Sequence, residues 1–99
     1  VHRKDNKMTE KQIELKLVKE VTALNGWCPK LFSPGTSGMP DRIVLLPNGR
    51  AFFVELKAPG KKPRPLQERV HEKLRELGFD VYVIDSFEKI NEVLKWEQY

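Results

Sequence analysis

Two carboxylates and a lysine lie where a folded chain could bring them together. Asp41 follows Pro40, and Glu55 and Lys57 close an apolar run that begins at Phe52. Side chains two residues apart on a strand point to the same face, so Glu55 and Lys57 share a face if this run is a strand. Paired carboxylates are the oxygen ligands that a hard divalent cation such as Mg²⁺ prefers. These residue types therefore suit a metal site, provided that the fold places Asp41 beside Glu55.

The turn between two predicted strands decides how those strands pair. Residues 42–46 and 51–56 are apolar on both faces, as in strands covered on both sides, and Pro47-Asn48-Gly49 joins them. A two-residue turn would leave Pro47 in the ladder without an N–H to donate. A three-residue loop, with a type I turn and a left-handed Gly49, is therefore favoured.

With a three-residue loop, Leu46 pairs with Arg50, and counting outward places Asp41 directly across from Glu55. Opposed residues of antiparallel strands share a face, with Cβ atoms about 4.5–5.5 Å apart. Like charges at that distance are unfavourable unless a cation or a proton compensates them. A divalent metal is the predicted compensation, and Leu56, whose backbone passes the site, offers a carbonyl oxygen as a further ligand.

The remaining patterns predict an α/β fold in the order αβββαβα. Thr9 and Gln12 form a capping-box pattern that opens a helix over 9–25. The other predicted elements are strands over 27–32 and 80–85, a helix from Pro65 to a C-cap at Gly78, and a last helix capped by Ser86. The second helix carries an apolar stripe made of Leu66, Val70, Leu74 and Leu77.

Length and composition predict one domain. The chain has 99 residues with 39% hydrophobic content, and we interpret residues 1–8 as an extension or expression scar and 9–99 as the domain. The 18 Lys and Arg outnumber the 14 Asp and Glu, and this net charge of +4 fits a polyanionic partner. No apolar run approaches the roughly 18 residues that span a bilayer, so no membrane association is expected. Cys28 is the single cysteine, so a reducing cytoplasm is the expected setting.

Pro40-Asp41 and Glu55-Leu56-Lys57 together resemble the motif of the PD-(D/E)XK nuclease superfamily. The restriction-endonuclease-like αβββαβ core of that superfamily, a mixed central sheet flanked by helices, matches the predicted order, with an extra C-terminal helix here. The longer stretch GMPDRIVLLPNGRAFFVELKAPGKK, followed by PLQ, resembles more narrowly the VRR-NUC branch, the virus-type replication-repair nucleases. The resemblance covers nearly all of the chain from Thr9 to Ile84.

The resemblance implies divalent-metal-dependent cleavage of DNA phosphodiesters. Asp41 and Glu55 would be metal ligands, and Leu56 would lend its backbone carbonyl. Lys57 would orient or help to deprotonate the attacking water and stabilise developing charge. Mg²⁺ is the expected metal, with Mn²⁺ as a substitute, because such cations make water nucleophilic near neutral pH.

Two more catalytic residues follow from the resemblance. The VRR-NUC branch contributes an acidic residue from its first helix, and here Glu10 and Glu14 compete. Glu14 shares a face with Leu17 and Val21, so we choose it as a catalytic residue and metal ligand, with a solvated carboxylate as the alternative. Gln67, near the start of the second helix, resembles the active-site glutamine of the family.

Five residues are predicted to contact DNA: Lys30, Ser33, Lys61, Lys62 and Arg64. The basic side chains among them would neutralise phosphates, and the alternative is that they are only solvated surface. His71 lies one turn beyond Gln67 and is interpreted as structural rather than catalytic.

The resemblance also suggests a homodimer that places two active sites on branched DNA such as a Holliday junction, in the host cytoplasm if the gene is viral. One alternative is a less selective nickase or duplex nuclease. Another is a DNA-binding module on the same fold that does not cut. The intact Asp41, Glu55 and Lys57 favour cleavage, because a module that only binds has no need of opposed carboxylates.

Overall fold

The computed structural model describes residues 8–98, so residues 1–7 of the predicted extension and Tyr99 lie outside the described residues. The elements are α1 (Glu10–Ala23), β1 (Arg42–Leu46), β2 (Arg50–Leu56), α2 (Pro65–Glu76), β3 (Val81–Ile84) and α3 (Phe87–Glu97). The three strands form one sheet in the order β1-β2-β3. Because β1 is antiparallel and β3 parallel to β2, the predicted α/β class and mixed sheet are confirmed.

The hairpin of β1 and β2 has the predicted register. Leu46 pairs with Arg50, and the pairing continues outward to Arg42 opposite Val54. The connection is the three-residue segment Pro47–Gly49, as predicted. Its conformation differs from the predicted type I turn, because Asn48 (φ 69°) is left-handed as well as Gly49 (φ 75°). Asparagine tolerates this region better than other non-glycine residues, so the turn closes without a second glycine.

The predicted strand over 27–32 is wrong, because this segment makes only isolated bridges to β1. Trp27 and Leu45 exchange backbone hydrogen bonds at 2.8 Å, and a second bridge joins Lys30 to Arg42. Between them Pro29 accepts a hydrogen bond from the Ile43 N–H but has no N–H to return. The segment therefore covers the free edge of β1 without becoming a regular fourth strand.

The hydrophobic core lies between the sheet and the helices α1 and α3. Both helices begin where the capping patterns predict: Thr9 Oγ1 accepts from the Gln12 N–H at 3.1 Å, and Ser86 Oγ accepts from the Lys89 N–H at 3.0 Å. The fully buried residues of this core include Ile13, Leu17, Val21, Val44, Phe52, Val54, Ile84, Ile90 and Val93. Met8, the last residue of the predicted extension, packs against the same core.

The helix α2 packs near β3 and reaches β2 through side chains that contact Glu55, but it buries little apolar surface. Leu66 and Leu77, two members of its apolar stripe, are exposed. His71 is the one buried residue of α2, a helix that the structure describes in full. Side chains alternate along β2, so Phe52, Val54 and Leu56 enter the core while Glu55 points to the opposite face, toward α2. None of the described helices has the length and apolar composition needed to cross a membrane.

The loop before β1 rests against α2 at Gly38, and this contact predicts the effect of a substitution. Gly38 has a φ of +88°, and a Cβ there would lie 2.9 Å from the Leu66 carbonyl oxygen and 3.1 Å from Val70. We expect Gly38→Ala to lower the free energy of unfolding by about 2 kcal/mol, measured by urea denaturation. Gly35→Ala is the matched control, because Gly35 has open space around its Cβ position. Equal stability of the two variants would contradict the observed seating of this loop.

Candidate active site

Asp41 is fixed at the entrance of β1 by its contact with β2. Its carboxylate oxygen Oδ2 accepts a hydrogen bond from the Leu56 N–H at 2.7 Å. Since Arg42 pairs with Val54, Asp41 lies one position further out, across from Glu55. The N–H and C=O of one strand residue point to the same side, so the Leu56 carbonyl also faces the Asp41 side of β2. The structure thus brings Asp41, Glu55 and the backbone of Leu56 together.

Glu55 carries a buried carboxylate enclosed by β2 and α2, with 2% of its side chain exposed. Oxygen Oε2 accepts a hydrogen bond from Gln67 Nε2 at 2.9 Å and lies 3.5 Å from Lys57 Nζ. Oxygen Oε1 is also buried, but within residues 8–98 it has no hydrogen-bond partner. Oε1 lies 3.6 Å from His71 Nε2, which is also buried without a hydrogen-bond partner among the described residues.

The surroundings of Glu55 disfavour its ionised form. Burial, together with the charge of Asp41, raises the pKa of Glu55 from 4.5 to about 7, against the opposing effect of Lys57. A carboxyl with this pKa is close to half ionised at neutral pH. A cation near both carboxylates would favour ionisation, since an opposite charge stabilises the charged form.

Gln67 connects the start of α2 to Glu55. Its side-chain oxygen accepts from the Arg64 N–H at 2.8 Å while its amide nitrogen donates to Glu55. The same side chain therefore caps the helix and orients the carboxylate. Lys57 is 15% exposed at its side chain, and its backbone N–H donates to the Ile84 carbonyl at 3.0 Å. Pairing with β3 thus fixes the backbone of Lys57, whose mostly buried side chain lies beside Glu55.

The helix α1 brings two acids to a cavity of about 310 Å³. The lining residues are Glu10, Glu14, Lys30, Leu31, Met39, Pro40, Asp41 and Leu56. Glu14 reaches this cavity as its helical face predicts, but its Oε2 lies 3.0 Å from Arg42 Nη2 and 3.9 Å from Lys30 Nζ. Burial raises the pKa of Glu14, yet the hydrogen bond and charge of Arg42 outweigh it and hold the pKa below its usual value. The charge of Glu10 adds to the raised pKa of Glu55.

The predicted DNA contacts divide between two surfaces. Lys30 lines the cavity that contains Asp41. Lys61 and Lys62 line a second open cavity of about 280 Å³, which shares no lining residue with the first. Arg64 is exposed at the start of α2, and the Ser33 carbonyl accepts from the Thr36 N–H in a turn at 3.1 Å.

Two residues of the site were not assigned to it from the sequence. Arg42 neutralises Glu14 and donates to the Cys28 carbonyl, which ties α1, the edge segment and β1 together. His71 is buried against Glu55 rather than in the hydrophobic core. Its spacing of four residues from Gln67 was the available signal, because residues i and i+4 of a helix lie on one face.

The donor set fits a hard cation, although it is small. Among the described residues, no group of three or more His, Cys, Asp or Glu side chains is placed to hold a metal. The two opposed carboxylates are nevertheless oxygen donors for which Lys57 is only a partial counter-charge, and Oε1 of Glu55 is buried without a hydrogen-bond partner among the described residues. Mg²⁺ is commonly held by one or two carboxylates and keeps several waters. Asp41, Glu55 and the Leu56 carbonyl are therefore the residues that would hold it.

Comparisons with known proteins agree with this reading of the fold. The model of the VRR-NUC domain matches residues 2–88. A solved structure described as a VRR_NUC domain superposes with a TM-score of 0.82 at 36% identity, covering 89% of this chain and 97% of that one. A protein of Acyrthosiphon pisum secondary endosymbiont phage 1, named "Putative nuclease p44", is 53% identical over 77 residues, which are 78% of this chain and 83% of the phage protein.

The family model, the matching solved structure and the nuclease-named relative together identify a nuclease domain. The chain belongs to the VRR-NUC family, since the family model spans most of its length and the solved family structure has the same fold.

The raised pKa of Glu55 predicts how stability depends on pH without metal. The folded carboxyl (pKa about 7) holds its proton at pH values where the unfolded one (4.5) has lost it, so this group destabilises the fold as pH rises from about 4.5 to above 7. In EDTA, we expect the free energy of unfolding of Glu55→Gln to rise by about 3 kcal/mol relative to that of the unmodified chain when the pH is raised from 4.5 to 8.5. Urea denaturation at both pH values measures the difference. Parallel pH profiles would show that Glu55 is not destabilised by its surroundings.

Proposed function

We propose that this chain is a divalent-metal-dependent endodeoxyribonuclease that hydrolyses phosphodiesters, with Mg²⁺ as its metal and Mn²⁺ as a substitute. The observation that carries the proposal is the pair of opposed carboxylates, Asp41 and Glu55, with a buried unpaired oxygen and Lys57 beside them. Burying this arrangement is unfavourable without a cation, so function rather than stability explains its presence. Membership of the VRR-NUC family and the nuclease-named phage relative support the same class.

The proposed site assigns a task to each side chain. Bound Mg²⁺ would neutralise phosphate charge and supply an activated water. Asp41, which accepts from the Leu56 N–H, presents its carboxylate in one orientation, and Gln67 does the same for Glu55. The Lys57 side chain, whose Nζ lies 3.5 Å from Glu55 Oε2, would orient the attacking water or, as the neutral amine, accept a proton from it. As the ammonium it would stabilise charge that develops on the phosphate. Glu14, paired with Arg42, would need to exchange that partner to act as a ligand.

Branched DNA is the proposed substrate, and it is supported by an exposed aromatic side chain near the site. Phe32 is 88% exposed and follows Leu31, which lines the cavity with Asp41 and Lys30. Unpaired bases stack on exposed aromatic rings, and neighbouring lysines attract the backbone. A strand exchange or helix end offers such base faces, whereas a continuous duplex does not. A homodimer that binds two arms of a junction, in the host cytoplasm of a phage, completes the proposal.

The main alternatives differ in selectivity and in chemistry. A nickase or duplex nuclease would share the site but cut linear duplex as fast as a junction. A binding module that does not cut is less favoured, because it has no need of the opposed carboxylates and Lys57 that this chain carries.

Removal of the Lys57 ammonium tests the proposed chemistry. We expect cleavage of a four-way junction in Mg²⁺, none in EDTA, and a loss of at least 100-fold in the single-turnover rate for Lys57→Ala, since a donor aimed at developing charge contributes on that order. Lys73→Ala, an exposed lysine late in α2, is the control of equal charge and should cut normally. Absence of metal-dependent cleavage of any DNA would leave the binding module as the function.

Removal of the Phe32 ring tests substrate selectivity. We expect Phe32→Ala to reduce the preference for a junction over linear duplex by about tenfold, because stacking of one base contributes on the order of 1–3 kcal/mol. Leu77→Ala removes another exposed apolar side chain at the far end of α2 and should keep the preference. If the unmodified chain cuts matched duplex and junction at equal rates, the chain is a duplex nuclease without selectivity for branched DNA.

A further inference from the structure

Two buried polar atoms without partners face each other beside the proposed metal site. They are Nε2 of His71 and Oε1 of Glu55, and they lie 3.6 Å apart. Both side chains are 2% exposed, so water does not readily replace the missing hydrogen bonds. An unpaired polar atom is costly in a protein interior, and two such atoms at this separation need only a small shift to satisfy each other.

The position of His71 on α2 makes this contact part of a pair. Gln67 and His71 are four residues apart, one helical turn, and therefore lie on the same face. Gln67 Nε2 donates to Oε2 of Glu55 at 2.9 Å, and His71 addresses Oε1 of the same carboxylate. One face of α2 thus places one side chain against each oxygen of Glu55.

The pattern of burial along α2 also argues against a role for His71 in apolar packing. Leucines at 66 and 77 of the same helix are exposed, whereas the histidine is buried. A site selected for packing alone would be occupied by an apolar side chain, because a buried imidazole leaves polar atoms to satisfy. The histidine is therefore explained by its polar neighbour.

We propose that His71 is a positioning residue that, with Gln67, clamps the Glu55 carboxylate in the orientation that binds the metal. The inference rests on the proposed function of Glu55 as a ligand. A carboxylate has about four acceptor positions, so two donors leave room for a cation. With Glu55 ionised, the Nε2-protonated tautomer of His71 donates to Oε1, as donors behind ligating carboxylates commonly do.

The test compares three variants of the full chain by two measurements. His71→Phe removes the donor with little change of shape, His71→Gln restores an N–H, and Lys73→Ala is the control on the same helix. The measurements are the Mg²⁺ concentration for half-maximal junction cleavage and calorimetric binding of Mn²⁺ without DNA. We expect His71→Phe to raise the required Mg²⁺ concentration and to lower the Mn²⁺ affinity, each by about tenfold or more. For His71→Gln we expect changes of about threefold at most. Unchanged metal dependence in His71→Phe, or equal impairment in His71→Gln, would overturn the proposal.

A variant of the hydrophobic core distinguishes a general loss of stability from a loss of Glu55 positioning. Ile90→Val loosens the core in α3 and should lower the melting temperature without changing Mn²⁺ affinity. If His71→Phe does not fold, His71→Gln is compared with His71→Asn, whose shorter side chain should not reach Oε1. Normal Mn²⁺ affinity in His71→Asn would overturn the clamp.

Failure of the proposed function is visible in the unmodified chain. If that chain neither binds Mn²⁺ nor cuts DNA, the metal-dependent activity is wrong and the clamp for a metal falls with it, but the contact itself remains testable. The double variant that carries His71→Phe and Glu55→Gln is compared with the two single variants in EDTA. If the two side chains are partners, the change in its melting temperature should differ from the sum of the two single changes. Additive changes would show that the two side chains do not interact.

Discussion

The buried carboxylate of Glu55, held opposite Asp41, is the constraint on which the rest of the site depends. An acidic group this far from water favours its neutral form, and its pKa near 7 expresses that cost. Lys57 offsets part of the cost, and Gln67 satisfies one of the two oxygens. The other oxygen has no partner within the described chain. The sheet and α2 therefore leave Glu55 with a desolvation cost that Lys57 and Gln67 offset only in part.

Much of this arrangement was predictable because it depends on local chemistry. Proline cannot donate in the ladder, so Pro47 selects the three-residue loop, and that loop sets the register that opposes Asp41 to Glu55. Strand alternation then sends Glu55 to the face opposite the core. The caps of α1 and α3 are likewise local, since Thr9 and Ser86 each bond within their own first turn.

The parts that could not be predicted depend on contacts between distant segments. Arg42 pairs with Glu14 across 28 positions of the chain, and no local pattern reports such a pair. The segment over 27–32 has the composition of a strand, but Pro29 interrupts its ladder with β1. His71 looked structural because its partner lies on another element, and only the tertiary placement of α2 beside the sheet brings it to Glu55.

The opposed carboxylates of Asp41 and Glu55 are proposed to hold a divalent cation. A crystal structure of the full chain with Mn²⁺, with anomalous scattering recorded at the manganese edge, tests this proposal most directly. We expect a single dominant anomalous peak from a manganese ion within about 2.5 Å of carboxylate oxygens of both Asp41 and Glu55 and near the Leu56 carbonyl. A manganese ion bound elsewhere, or none at saturating Mn²⁺ with Asp41 still bonded only to the Leu56 N–H, would contradict it.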